Sequence, residues 1–161
     1  MTEGEQRLYD IFNMLKIEYV RYEHKPVCTI EEANQLDIYI EGKQCKNLFL
    51  RDRKGSIFYL VIVDEKKQVD LKRLAEKMGC KSLSFASEEK LYNYLALKPG
   101  AVSPFGLIND INKAVQVIID KDLVGSSSIN FHPNVNTATI NISYKNFEKF
   151  LEWCGNKCTV I

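Results

Sequence analysis

The stretch CKNLFLRDRKG, residues 45–55, starts beside a lysine, Lys46, climbs into the apolar run Leu48-Phe49-Leu50 and returns at once to charge. A lysine so placed has two readings. It is a solvated charge at a strand rim, its stem lying on apolar surface, or a compact cation set to hold a phosphate or a carbonyl oxygen. Two further stretches, GAVSPFGLIND (100–110) and NFHPNVNTATI (130–140), carry more Gly, Pro and small polar residues than a connection needs. Loops of that composition can offer backbone N–H groups to an oxyanion with no bulky side chain in the way. Their plain reading is turn chemistry. Pro104 and Gly106 shape a bend, Gly106 permitting close approach or positive φ, and Asn134 and Asn136 tolerate left-handed backbone.

Other chemistries lack their residues. There is no G-x-x-x-x-G-K-[ST] phosphate loop, no G-x-G-x-x-G, no H-E-x-x-H and no G-x-S-x-G in the sequence. The two histidines, His24 and His132, are too few for most metal sites. Cys154 and Cys158 form C-x3-C, but no second pair or nearby His completes a four-ligand zinc site. The five cysteines, Cys28, Cys45, Cys80, Cys154 and Cys158, are scattered and odd in number, which reads as reduced thiols.

The elements that must position these stretches are written in caps and periodicities. Thr2 and Glu5 have capping-box spacing, and Leu8, Ile11, Phe12 and Leu15 fall on one face of the helix that follows. EYVRYEH reads as a short strand. Thr29 and Glu32 repeat the capping-box spacing and open a short helix with Ala33 and Leu36 inward, followed by a loop over 37–44. Runs 47–50 and 57–63 flank the polar turn Asp52-Arg53-Lys54-Gly55 and predict a hairpin, its second strand covered on both faces. Asp70 caps a helix stopped at Gly79, Ser87 starts another, and Ser143 caps a last one that ends at Gly155. SLSFA, AVQVIID, SINFH and ATINIS read as strands, and CTVI as an edge strand. The irregular mixture predicts an α/β fold of the mixed α+β kind, with a partly antiparallel sheet and helices around it.

A chain of 161 residues with 45% hydrophobic and 27% charged residues suits one domain, 1–161, with a sizeable core. No apolar run approaches the ~20 residues that cross a bilayer, so no membrane partner is expected. The start, MTEGEQRLYD, has no basic n-region or apolar h-region, so a cytoplasmic place is the default expectation. A net charge of +1, from 22 basic and 21 acidic residues, excludes coating nucleic acid by bulk charge and leaves room for one basic patch. Lys43, Lys46, Arg51, Arg53 and Lys54 surround the first hairpin; they are the candidate phosphate contacts, a solvated turn being the plain alternative.

KNLFLRDRKG, GAVSPFGLIND and FHPNVNTATI, in that order, resemble the YbaK/ProX-type aminoacyl-tRNA deacylases, relatives of the editing domain inserted in bacterial prolyl-tRNA synthetases. The wording SPFGLIND and HPNVNTAT is most similar to the branch that removes alanine from mischarged tRNA for proline. The resemblance implies a curved, barrel-like, mostly antiparallel mixed sheet with helices around it and an open pocket. It also implies hydrolysis of the ester at the tRNA 3′-terminal adenosine, with a ribose hydroxyl of the substrate helping to activate water. Lys46 matches the family's essential lysine, with Asn47 beside it. Ser103, Pro104, Phe105 and Gly106 match its small-residue loop, and His132 and Asn136 its histidine-bearing turn. His132 stays open between catalytic, orienting and structural roles. Ile30 and Leu36 could shape a small amino-acid pocket or belong to the core. No metal or organic cofactor is expected. The implied partner is the 3′ acceptor end of a mischarged tRNA rather than DNA, with prolyl-tRNA synthetase or an elongation factor as candidate protein partners. Cys- or Ser-charged tRNA, and a binding module without turnover, are the competing readings.

Overall fold

The computed structural model describes residues 1–26, 31–32, 35 and 40–161. Thr29, Ile30, Ala33 and Leu36, and with them the expected capping box and inward face of the second helix, lie outside the described residues.

Helix α1, Glu3–Leu15, starts where the Thr2 hydroxyl accepts from the Glu5 N–H at 3.1 Å. The expected reciprocal half of that capping box gives way to a tertiary contact. The Glu5 carboxylate turns inward, 2% exposed, accepting from Tyr9 Oη at 2.6 Å and Arg21 Nε at 2.8 Å. A charge that finds a cation inside the fold is held more firmly there than at a frayed helix start. Strand β1, Val20–Glu23, follows.

Strands β2, Lys43–Asp52, and β3, Phe58–Asp64, form the expected hairpin. β3 has six consecutive buried residues because both its faces are covered. Phe58, Leu60 and Ile62 join one apolar cluster, Tyr59, Val61 and Val63 the other. Helix α2, Leu71–Met78, covers the second face with Leu74 and Ala75. Asp70 caps it by accepting from the N–H groups of Lys72 and Arg73, and Gly79 ends it at φ +71°. Strand β4, Leu83–Phe85, and helix α3, Glu88–Leu95, come next. A 3-10 helix, Pro104–Asn109, occupies the loop that the sequence left irregular. Strands β5, Val115–Ile119, β6, Ile129–Phe131, and β7, Ala138–Ile142, precede helix α4, Tyr144–Cys154, and the edge strand β8, Cys158–Val160.

The strand order is β1-β7-β6-β2-β3-β5-β8, with β4 attached to β2. Among the described residues, four pairings are antiparallel (β1·β7, β2·β3, β2·β4, β6·β7) and three parallel (β2·β6, β3·β5, β5·β8). The mixed, mostly antiparallel sheet is therefore as expected, but it does not close into a barrel: β1 and β8 end the order. No helix among the described residues is long and apolar enough to cross a membrane.

Candidate active site

The site is built on a branch in β2. One edge of β2 pairs with β3 along its length. The other pairs with β6 only at Lys43↔Ile129 and Gln44↔Asn130, and with β4 only from Leu50 to Asp52. Between these rungs no strand among the described residues pairs with that edge. The Glu65 N–H bonds the Gln44 carbonyl and the Asp52 N–H bonds the Ile57 carbonyl, both at 3.0 Å, so even-numbered residues face β3. Alternation in an antiparallel ladder then turns the backbone N–H and C=O of Asn47 toward the gap. The last rung before the gap is pinned: Asn130 Nδ2 and Asn141 Nδ2 both donate to the Glu41 carbonyl, and Asn141 Nδ2 also to Asn130 Oδ1 at 2.8 Å. Gly42 makes the bend into β2 at φ +100°, where a Cβ would lie 2.6 Å from Ser128 Oγ, so only glycine fits.

β2 starts at Lys43, earlier than expected, because β6 pairs with its polar beginning. Lys46 is therefore inside a strand and not at its rim. It is half-buried and has no hydrogen bond or ion pair among the described residues. Strand alternation puts Lys46 on the face of Leu48 and Leu50, opposite Val63, and Asn47 on the other face with Phe49, opposite Ile62. The two candidate catalytic residues thus flank the gap from opposite faces.

β6 carries the second stretch to the same place. Lys46 is two residues beyond Gln44 and His132 two beyond its partner Asn130, so both leave the last shared rung together. The turn 132–137 is held at three points. His132 Nδ1–H donates to the Ala138 carbonyl at 2.9 Å, leaving Nε2 as the acceptor of the neutral ring. The His24 N–H bonds the Thr137 carbonyl at 2.9 Å, and the His24 and His132 rings meet edge to face, centroids 6.1 Å apart. Asn134, at φ +65°, donates from Nδ2 to the Phe105 carbonyl at 3.3 Å and so ties this turn to the 3-10 helix. The amide oxygens Asn47 Oδ1 and Asn134 Oδ1, like Asn156 Oδ1 elsewhere, are buried without a hydrogen-bond partner among the described residues. Such acceptors are costly in a finished core. Asn136 is half-buried in the same turn. His24 escaped the sequence reading because nothing local marks it. Its ring is fixed by Thr139 Oγ1, 2.8 Å from Nε2 and 115 residues away, through the β1·β7 pairing.

The third stretch arrives differently from expectation. Ser103 is fully buried, and its hydroxyl accepts from the Phe105 N–H at 3.1 Å to start the 3-10 helix, with Pro104 in its first turn. The Phe105 ring is 0% exposed and packs edge to face on Phe12, Phe131 and Phe150, with centroids 5.2, 5.6 and 5.2 Å away. Its expected place among the loop residues that match the family's site is corrected: the ring is core, and its carbonyl is what meets the 132–137 turn. Gly106 is corrected too. Its φ is not positive, and a Cβ there would lie 2.6 Å from Leu97 Cδ1 and 3.1 Å from Leu95 Cβ. The glycine serves close packing on Leu95 and Leu97.

The basic residues do not form one patch. Lys43 donates to the Asp122 carbonyl at 2.8 Å near the gap, whereas Arg51, Arg53 and Lys54 lie at the hairpin end. The strand separates the two groups by about 30 Å at ~3.3 Å per residue. Ile30 and Leu36 lie outside the described residues. Cys45, next to Lys46, is not a poised nucleophile. Burial, helped by the Asp64 charge, pushes its thiol up to about 12, so it stays protonated.

Burial holds His132 below the ordinary histidine range, against the opposing bond to Ala138 and with help from His24. Above about pH 6.5 folded and unfolded chains both carry it neutral. As pH falls below that value the unfolded chain binds a proton that the folded site resists, so stability drops. Urea unfolding at pH 7.5 and 5.5 should show that loss in the wild type and a smaller one in His132→Asn. Equal losses in both would remove His132 as the cause.

Residues 24–150 match the family described as the aminoacyl-tRNA editing domain. The chain is 47% identical over 154 residues to the prolyl-tRNA editing protein ProX of Acetoanaerobium sticklandii, covering 96% of this chain and 94% of that one. It is 33% identical over 149 residues to the prolyl-tRNA synthetase associated domain-containing protein 1 of Danio rerio, covering 91% and 80%. Its fold is shared with a crystal structure described as a candidate trans-editing enzyme for prolyl tRNA synthetase, at TM-score 0.73 and 19% identity over 99% of this chain and 97% of that one. Lys46, Asn47 and the 132–136 turn, gathered at the branch of β2, are thus carried by a chain that belongs to the aminoacyl-tRNA editing domain family.

Proposed function

We propose that the chain is a hydrolase, 1–161 acting as one domain, that removes alanine from mischarged tRNA for proline. As a member of the editing family it is an aminoacyl-tRNA deacylase, acting on the ester that joins an amino acid to tRNA. The observation that supports hydrolysis is the gap itself, where the edge bearing Lys46 and Asn47 parts from the strand bearing His132, while alanine is favoured by the SPFGLIND and HPNVNTAT wording.

Water attacks the ester carbonyl, and negative charge develops on its oxygen. The Asn47 N–H facing the gap and the Lys46 ammonium are the donors for that oxyanion, worth most where water is excluded. Collapse breaks the bond to the ribose oxygen, which takes a proton and leaves as the hydroxyl of the terminal adenosine. A neighbouring ribose hydroxyl helps to orient the water, and neutral His132 offers Nε2 as an acceptor to water or substrate. Size exclusion favours alanine over larger residues at about 1–3 kcal/mol per methylene, with Ser103, Pro104 and Asn136 in the surrounding backbone. A cytoplasmic place goes with this reading, as do prolyl-tRNA synthetase or an elongation factor as carriers of the charged tRNA.

A deacylation panel of Ala-, Cys-, Ser- and Pro-charged tRNA tests it. Fastest release of alanine, with proline retained, is the expected result; a preference for cysteine or serine moves the assignment to that branch.

The candidate phosphate contacts are five basic residues, Lys43, Lys46, Arg51, Arg53 and Lys54, so few phosphates are neutralised. At about −0.7 per single-strand contact, log affinity for tRNA against log salt should fall no more steeply than roughly −4. A much steeper line, from binding titrated at several salt concentrations, would require a larger basic surface than the hairpin offers.

A further inference from the structure

The sheet brings four side chains of distant origin onto one face. Phe131 pairs with Ile140, so His132 follows opposite Thr139. Glu23 pairs with Ala138 and the His24 N–H bonds the Thr137 carbonyl, so His24 stands diagonal to Thr139 on the same face. Lys46 joins that face from the other side, since it and His132 each lie two residues beyond the Gln44↔Asn130 rung. Across β1, β7, β6 and β2 the face carries His24, Thr139, His132 and Lys46.

His24 is held at both ring nitrogens. The Lys25 carbonyl, 2.8 Å from Nδ1, can only accept, so Nδ1 carries the hydrogen, and the neutral ring leaves Nε2 to accept from the Thr139 hydroxyl at 2.8 Å. Thr139 is itself buried. A ring tied at both nitrogens is fixed in its plane, and it meets the His132 ring at a centroid distance of 6.1 Å and an interplanar angle of 62°. Edge-to-face rings attract at centroid separations of about 4.5–7 Å, so one ring sets the tilt of the other. Among the described residues His132 has one hydrogen bond of its own, from Nδ1–H to the Ala138 carbonyl. A single bond leaves a ring free to rock about it, and the edge of His24 removes that freedom. The plain alternative is that His24 only staples β1 to the 132–137 turn. The backbone bond from the His24 N–H to the Thr137 carbonyl already does that, with no need of an imidazole.

We propose that His24 is a positioning residue for the deacylation: anchored by Thr139 and Lys25, its ring holds the His132 imidazole with Nδ1 on Ala138 and Nε2 left for water or substrate on the face of Lys46. The inference rests on the deacylase reading, and His24 itself touches neither water nor ester in the reaction.

The test is a double-mutant cycle read by kcat, with the His132 ring followed by nitrogen NMR. His24→Ala should lower kcat on Ala-tRNA by up to about 10²-fold, the cost of a reacting group misplaced by ~1 Å, and leave KM little changed. In a His132→Asn background the same change should cost nothing further, because the two residues act as one unit. Thr139→Val, which loses only the hydroxyl that anchors His24, should lower kcat in the same direction, and Thr139→Ser should restore it. A wild-type kcat in His24→Ala, or losses that add to those of His132→Asn, overturns the inference. Should His24→Ala fail to fold, a wild-type kcat in Thr139→Val overturns it equally. The NMR signature needs no turnover: His132 should hold the single Nδ1–H tautomer in the wild type and average both tautomers in His24→Ala. That change in a protein that binds Ala-tRNA without releasing alanine would keep the hold of His24 on His132 and sink the deacylase. Turnover with the same rate and tautomer in both proteins would do the reverse.

Discussion

Lys46→Ala is expected to abolish deacylation while the protein still folds. Lys46 projects from the stretch of β2 whose second edge meets no strand among the described residues between the β6 and β4 rungs, and no acid or carbonyl among the described residues holds its ammonium. A half-buried lysine kept without a partner is poorly explained by stability. Its removal should shift unfolding by no more than ~0.5 kcal/mol, as for other substitutions that break no named contact. In the proposed reaction it is the one side-chain cation beside the forming oxyanion, and single donors of that kind are worth about 10²–10³ in rate. The check is a single-turnover rate on Ala-tRNA beside a urea melt of the same preparation. Near-wild-type turnover would return Lys46 to the role of a strand residue.

Phe105→Ala should have the largest effect on stability, about 3–5 kcal/mol. The ring closes a cluster of four aromatics with Phe12, Phe131 and Phe150, contributed by α1, β6 and α4. Truncation leaves a cavity that three separate elements would have to move to fill. The proposed preference for alanine over larger amino acids should be unaltered in whatever fraction remains folded, because the ring faces core on every side. Tm and the ratio of rates on larger-residue tRNA to Ala-tRNA, read together, decide it. A raised ratio with little loss of Tm would put the ring back in the pocket.

Most of the framework was legible because its signals are local. Thr2, Asp70, Ser87 and Ser143 each accept a backbone N–H at a helix start, and Gly79 and Gly155 end helices at positive φ. The apolar run of β3 could only be a strand covered twice. What escaped was decided by partners distant in sequence. The polar beginning of β2 carries no alternating pattern and becomes strand only because Ile129 and Asn130 lie alongside. The inward turn of Glu5 depends on Arg21, the meeting of His24 and His132 on the β1·β7 pairing. The 100–110 stretch was recognisable as special, but its composition could not say which way Phe105 faces. The residues of the gap were legible as three separate motifs; that Asn134 joins two of them was not.

Catalytic hydrolysis of Ala-tRNA for proline is read out by limiting enzyme against excess substrate. Released alanine is followed over time, with correctly charged Pro-tRNA in a parallel reaction. Many equivalents of alanine released per protein molecule, while Pro-tRNA stays charged, are the expected result. Stoichiometric binding of Ala-tRNA with its ester intact would contradict it and leave a binding module in place of the enzyme.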